Sequence, residues 1–293
     1  MIDSWSRREF GFVSLALLGG CLGGEMPSTP KGIMQSFERV SLSGWGGPQL
    51  DAYFGRPAAW TPDWPVVIIL HGAKRNLRYT MSTWLPLAQS LGFMPVIPHF
   101  TSQAFRGRQF SLGGVERGNL PTGSAFNAIE PLFDLLRRTT GARASSYSIF
   151  GHSAGAQFVQ RFLLFKPEAR ARRTVASMAG WYTLPEERLT WPYGLANVSV
   201  DEVDFERMLL REGLLLLGEE DDNPRSDQLR RSRLAQSQGA HRLERGINYF
   251  SQCAEFARRN EIPMNWNMAI LPDTTHSSRS AARACAAWLV HRD

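Results

Sequence analysis

Val66–Leu70 is an unbroken aliphatic run that stops at His71-Gly72. With no polar alternation, such a run reads as a strand buried on both faces. Before it, Phe37–Leu42 and Gln49–Phe54 alternate apolar with polar positions, and the link between them holds Gly44, Gly46, Gly47 and Pro48. That pattern predicts a pair of short antiparallel strands. Further strands are predicted at Phe93–Pro98, Tyr147–Phe150, Thr174–Met178, Leu214–Leu217 and Asn265–Leu271. Between them the period changes to that of helices, at Tyr79–Leu91, Ala125–Thr139, Ala154–Phe165, Gly239–Asn260 and Ser277–Val290. Pro86 predicts a kink in the first of these. Leu132, Phe133, Leu135 and Leu136 supply the apolar side of the second. Strands alternating with helices of this length predict an α/β fold, a mostly parallel sheet of about eight strands with helices on both faces.

Two stretches break the alternation. His99–Pro121 is rich in Gly, Arg and Phe and shows no period; a loop of that length inside a compact domain is usually functional or mobile. Trp181–Leu210, with Trp191-Pro192-Tyr193-Gly194, is the candidate for a small lid. Phe100, Phe105, Phe110, Trp181, Tyr182, Trp191 and Tyr193 are the aromatics these stretches offer to an apolar pocket, with packing in the core as the competing use.

The 293 residues are 43% apolar and 20% charged, with a net charge of +6, ordinary values for a chain with a sizeable core. The excess charge comes from Arg spread along amphipathic stretches, as at Arg137-Arg138, Arg172-Arg173 and Arg230-Arg231. Without an RNA-binding signature or zinc-finger spacing it reads as solvated helix surface, and no nucleic-acid partner is expected. The start of the chain is different. Ser6-Arg7-Arg8-Glu9-Phe10 precedes the apolar run Gly11–Leu18 and then Leu18-Gly19-Gly20-Cys21. A charged segment, a short apolar segment and small residues in that order describe an export signal, and the run is far short of the roughly 20 residues of a spanning helix. The paired Arg resembles a twin-arginine signal, and Leu-Gly-Gly-Cys resembles a bacterial lipobox whose Cys21 is lipidated, with ordinary cleavage nearby as the alternative. Residues 1–36 are therefore read as signal and tether, and 37–293 as one domain working in the periplasm or at the cell surface. Of the three cysteines, Cys253 and Cys285 fall on predicted helices of opposite sheet faces, too far apart for a bridge. No cysteine or histidine cluster suggests a metal.

The chemistry gathers at strand ends. Gly151-His152-Ser153-Ala154-Gly155 lies between a predicted strand and a predicted helix. This is G-x-S-x-G in the strand–turn–helix setting that makes Ser153 a nucleophile, since so tight a turn excludes side chains two residues to either side. His152, as the neighbour of the serine on a sharp turn, is given a packing role. His276, in the loop Pro272–His276 after the last strand, is the candidate general base. The acid belongs after Leu214–Leu217, where the chain reads Gly218-Glu219-Glu220-Asp221-Asp222. Asp221 is the first choice and Asp222 the next, while Asp273 shares the loop of His276, a less common arrangement. An oxyanion hole needs the N–H after the nucleophile, that of Ala154, and one from the loop after the Val66–Leu70 strand, that of Ala73 or Lys74.

These residues together, His71–Asn76, Gly151–Gly155, Gly218–Asp221 and Asp273–His276, resemble the α/β-hydrolase superfamily over Phe37 to Val290. More narrowly they resemble the bacterial branch related to polyhydroxybutyrate depolymerases and carboxylesterases. The stretch Gln238-Gly239-Ala240-His241-Arg242-Leu243-Glu244-Arg245-Gly246 is also similar to that branch, without a chemical role that the sequence supplies. The resemblance implies a serine hydrolase of small or polymeric esters that needs no cofactor. The competing class is a catalytically silent member of the fold that binds a partner through its Arg-rich faces.

Overall fold

A computed structural model of the protein describes residues 37–199 and 203–291. The segments read as export signal and tether, with Cys21, all within 1–36, lie outside the described residues. The order of elements is β1 (Phe37–Leu42), β2 (Leu50–Gly55), β3 (Val66–Leu70), α1 (Leu77–Leu91), β4 (Met94–Pro98) and α2 (Arg108–Ser111). A 3-10 turn at Ala125–Ala128 then leads into α3 (Ile129–Thr140), followed by β5 (Tyr147–His152), α4 (Ala154–Phe165), β6 (Ala171–Ser177) and α5 (Phe205–Leu209). The chain ends with β7 (Glu212–Gly218), α6 (Arg233–Gln236), α7 (Arg242–Arg259), β8 (Trp266–Leu271) and α8 (Ser278–Val290).

The strands form one eight-stranded sheet in the order β1-β2-β4-β3-β5-β6-β7-β8. β2 runs antiparallel to β1 and to β4, and every pair from β4–β3 to β7–β8 is parallel. This is the α/β-hydrolase fold that the sequence led us to expect. All of β3 is buried, and its alternate residues serve two cores. Ile68 and Leu70 join a core with residues of α3, α4 and α7, while Val67 and Ile69 join another with residues of α1 and α8. Cys253 belongs to the first core and Cys285 to the second, and both are free thiols. Burial pushes the Cys253 thiol up to about 12.

The structure corrects several local expectations. His99–Pro121 is not an open loop: it contains α2, and Phe100, Phe105, Phe110, Leu112 and Val115 are buried. Phe100 meets Phe105 at 4.8 Å, Phe110 at 5.3 Å and Phe158 of α4 at 5.4 Å between ring centroids. Burying several such rings offsets the ordering entropy of a segment with little regular structure. α1 begins at Leu77, two residues earlier than expected, and includes Pro86. α7 begins at Arg242, three residues later than expected, because His241 is its N-cap and accepts from the Glu244 N–H.

Candidate active site

Ser153 occupies the turn between β5 and α4 with φ 56° and ψ −111°, a conformation that costs a non-glycine residue on the order of 1–3 kcal/mol. The neighbouring glycines make the turn feasible. A Cβ on Gly151 would lie 2.2 Å from the Gly155 carbonyl oxygen, and one on Gly155 would lie 2.5 Å from that of Leu70. The Ser153 N–H donates to the Ser177 carbonyl at 2.9 Å, which ties the turn to the end of β6. Ala154 is the first residue of α4, where N–H groups have no intrahelical acceptor.

β7 and β8 are paired as far as Gly218 and Leu271, so the loops that follow them emerge side by side. That register brings Asp221 and His276 together: Nδ1 of His276 donates to Oδ2 of Asp221 at 2.7 Å. The imidazole is 25% exposed and the carboxylate 5%. Glu219, Glu220 and Asp222 point to solvent. Asp273 is also exposed, at φ 48°, and its N–H donates to Glu219 Oε2 at 3.2 Å. The other Asp221 oxygen, Oδ1, accepts from Arg242 Nη1 at 3.1 Å.

The His152 ring lies 4.6 Å from the His276 ring, tilted by 41°, and its Nδ1 faces Ser177 Oγ at 3.4 Å. Burial, with the neighbouring His276 and Arg242 charges, holds the His152 imidazole well below its ordinary range and so keeps it neutral.

The loop from β3 to α1 faces Ser153 from the other side. His71 is buried against Phe110, 4.7 Å between centroids, and burial pushes its imidazole down to about 3. The Arg75 N–H closes the turn on the Gly72 carbonyl at 3.0 Å, which leaves the Ala73 and Lys74 N–H groups outside that bond. Arg75 itself has φ 52°, and its guanidinium donates to the Phe100 carbonyl at 2.6 Å and sits 5.2 Å from the Phe110 ring. Asn76 caps α1 by accepting from the Tyr79 N–H at 3.0 Å.

Ser153, His276, Ala73 and Lys74 all border one cavity of about 350 Å3, within the range of small-molecule sites. Ala154 is beside it without bordering it. The inner wall is Ile69, Leu70, Thr80, Thr83, Trp84 and Phe150, and Gln228 and Ser278 stand at other points of the lining. None of the aromatics that the sequence offered as pocket residues borders this cavity. The phenylalanines of 99–121 turn into the core, and Trp181 and Tyr193 meet at 4.6 Å, tilted by 39°, in a separate cluster with Leu112 and Ala235. No described residue of the 181–210 segment borders the cavity either. The wall formed by α1 was missed; Thr80, Thr83 and Trp84, spaced to share one helix face, were the available signal. Among the described residues no three His, Cys, Asp or Glu side chains converge as a metal site.

No protein-family model matches the chain, and no curated protein matches it. Solved structures do. Poly(aspartic acid) hydrolase-1 from Sphingomonas sp. KT-1 is 31% identical over 87% of this chain and 98% of that one, with a TM-score of 0.81. LpqC, a poly(3-hydroxybutyrate) depolymerase from Bordetella parapertussis, is 26% identical over 85% and 88%, with a TM-score of 0.78. An S-formylglutathione hydrolase from Agrobacterium tumefaciens shares the fold at 16% identity and a TM-score of 0.54, covering 86% of this chain and 99% of that one. With nearly a third of its residues shared across almost the full length of the Sphingomonas enzyme, the chain belongs to the α/β-hydrolase family that includes poly(aspartic acid) hydrolase-1.

Proposed function

We propose that this chain is a serine hydrolase that cleaves an ester-type bond, in a carboxylic ester, thioester or polyester, through an acyl-enzyme on Ser153. One observation carries the reading: a serine on a strained turn and a histidine paired to a buried carboxylate border the same cavity. The Asp221 carboxylate accepts the Nδ1 proton of His276, so Nε2 is the nitrogen left to take the Ser153 hydroxyl proton as Oγ attacks the acyl carbon. The imidazolium then protonates the leaving alcohol or thiol. A water, deprotonated by the same ring, breaks the Ser153 ester and releases the acid. The N–H groups of Ala154 and of Ala73 or Lys74, with the N-terminal end of α4, stabilise the negative oxygen of each tetrahedral intermediate.

The relatives act on polymers, one on poly(aspartic acid) and one on poly(3-hydroxybutyrate), which makes polymeric substrates part of this reading. A panel of p-nitrophenyl esters of graded length, run beside poly(3-hydroxybutyrate) and poly(aspartic acid), measures bond preference and pocket depth together. Ser153→Ala and His276→Ala should abolish both turnover and fluorophosphonate labelling. Asp221→Asn should lower kcat by roughly 10^4, the scale known for mis-oriented histidine in such sites. A wild type that takes no fluorophosphonate label supports the silent, partner-binding member of the fold instead.

We also propose that the protein works outside the cytoplasm, held to a membrane by a lipid on Cys21, as the Arg7-Arg8 and Leu18–Cys21 segments suggest. Recovery in the membrane fraction should be lost in Cys21→Ser; equal recovery for both forms argues against the lipid.

A further inference from the structure

We infer that Arg242 is a positioning residue for this reaction: from the first turn of α7 it fixes the Asp221 carboxylate in the orientation that meets His276. The inference rests on the proposed hydrolase reading and extends it. Asp221 has one oxygen for each partner, Oδ2 for His276 Nδ1 at 2.7 Å and Oδ1 for Arg242 Nη1 at 3.1 Å. With both ends held, the carboxylate cannot rotate without breaking a charge-assisted bond. The Arg242 and Asp221 side chains are 3% and 5% exposed, so water does not screen the pair or offer a substitute partner. Arg242 Nη1 also lies 3.1 Å from Ser226 Oγ, and the Leu243 N–H donates to the Asp221 carbonyl at 3.2 Å. The start of α7 thus grips the acid by side chain and backbone alike, although neighbouring loop residues face solvent.

The mount for Arg242 is the segment Gln238–Gly246, for which sequence reading found no role. The Gln238 amide accepts from the Tyr182 N–H at 2.9 Å and donates to the Tyr182 carbonyl at 2.8 Å. Arg245 donates to the Gly239 and Gly180 carbonyls at 2.9 and 2.7 Å. Glu244 receives the Ala240 N–H at 2.6 Å, and His241 Nδ1 receives the Glu244 N–H at 3.3 Å. These bonds join the start of α7 to the chain leaving β6, and so hold Arg242 against the loop that follows β7. Lysine would keep the charge at position 242 without the planar fork that sets direction.

The test is kcat per fluorophosphonate-titrated serine on the best p-nitrophenyl ester, for wild type, Arg242→Met and Arg242→Lys, each also in an Asp221→Asn background. Arg242→Met should lower kcat about ten- to hundredfold, the scale known for losing the hydrogen-bond partner that orients a metal-ligating side chain, with KM nearly unchanged. Arg242→Lys should fall between it and wild type. In the Asp221→Asn background neither substitution should lower kcat further, because Arg242 acts through the carboxylate. A wild-type kcat in Arg242→Met, or the same fold loss in both backgrounds, overturns the inference and leaves Arg242 a packing residue. If circular dichroism shows Arg242→Met unfolded, Arg242→Lys decides by the same comparison of backgrounds. Failure of the hydrolase reading itself shows earlier and separately, as a wild type that takes no label.

Discussion

Beneath Ser153 and His276, the imidazole of His71 is shut away from water and held neutral by burial. A base whose folded pKa is depressed is protonated in the unfolded chain first, so its contribution is whole above about 6.5 and drains as pH falls toward about 3. Between pH 7 and pH 5 this one ring should cost about 2 kcal/mol of stability. His152, depressed in the same direction, adds to the slope. Urea unfolding at the two pH values measures the loss, and His71→Gln, which does not titrate, should flatten the slope. At this scale the chain was legible where the backbone restricts the residue. Gly151 and Gly155 reveal Ser153 because no side chain fits in their places. The choice between Asp221 and Asp222 was not legible, because which carboxylate turns inward depends on contacts from Arg242 and Leu243, twenty residues further on.

Among the elements, α1 does two jobs: its Thr80, Thr83 and Trp84 wall the cavity, and its N-cap anchors the loop that carries Ala73 and Lys74. Asn76→Ala removes the bond to the Tyr79 N–H and should lower stability by about 1 kcal/mol, the usual worth of such a cap. Thermal or urea unfolding checks it, and an unchanged midpoint would show that the loop is held by Arg75 and Phe100 instead. The unbroken apolar run of β3 and the longer periodic helices α4 and α8 were readable to within a residue or two. α5 and α6 span too few residues to show a period. The 99–121 segment misled because its apolar residues follow no repeat: they are gathered by contacts with α4, which only the folded chain makes.

For the molecule as a whole, the mostly parallel, two-sided sheet followed from the alternation of patterns, and the placement of Ser153 and His276 at strand ends followed from that; the strand order did not. Where the pocket lies did not follow, since aromatic residues serve a core and a binding wall equally well and the sequence does not say which face they turn to. The division of the interior into two cores has one more effect. Each sheltered sulfur, that of Cys253 and that of Cys285, faces its own side of the sheet. In an oxidising medium neither can capture the other while the chain stays folded. Between these two described cysteines a bridge would require the folded sheet to come apart first, so resistance to it depends on keeping both halves of the interior closed.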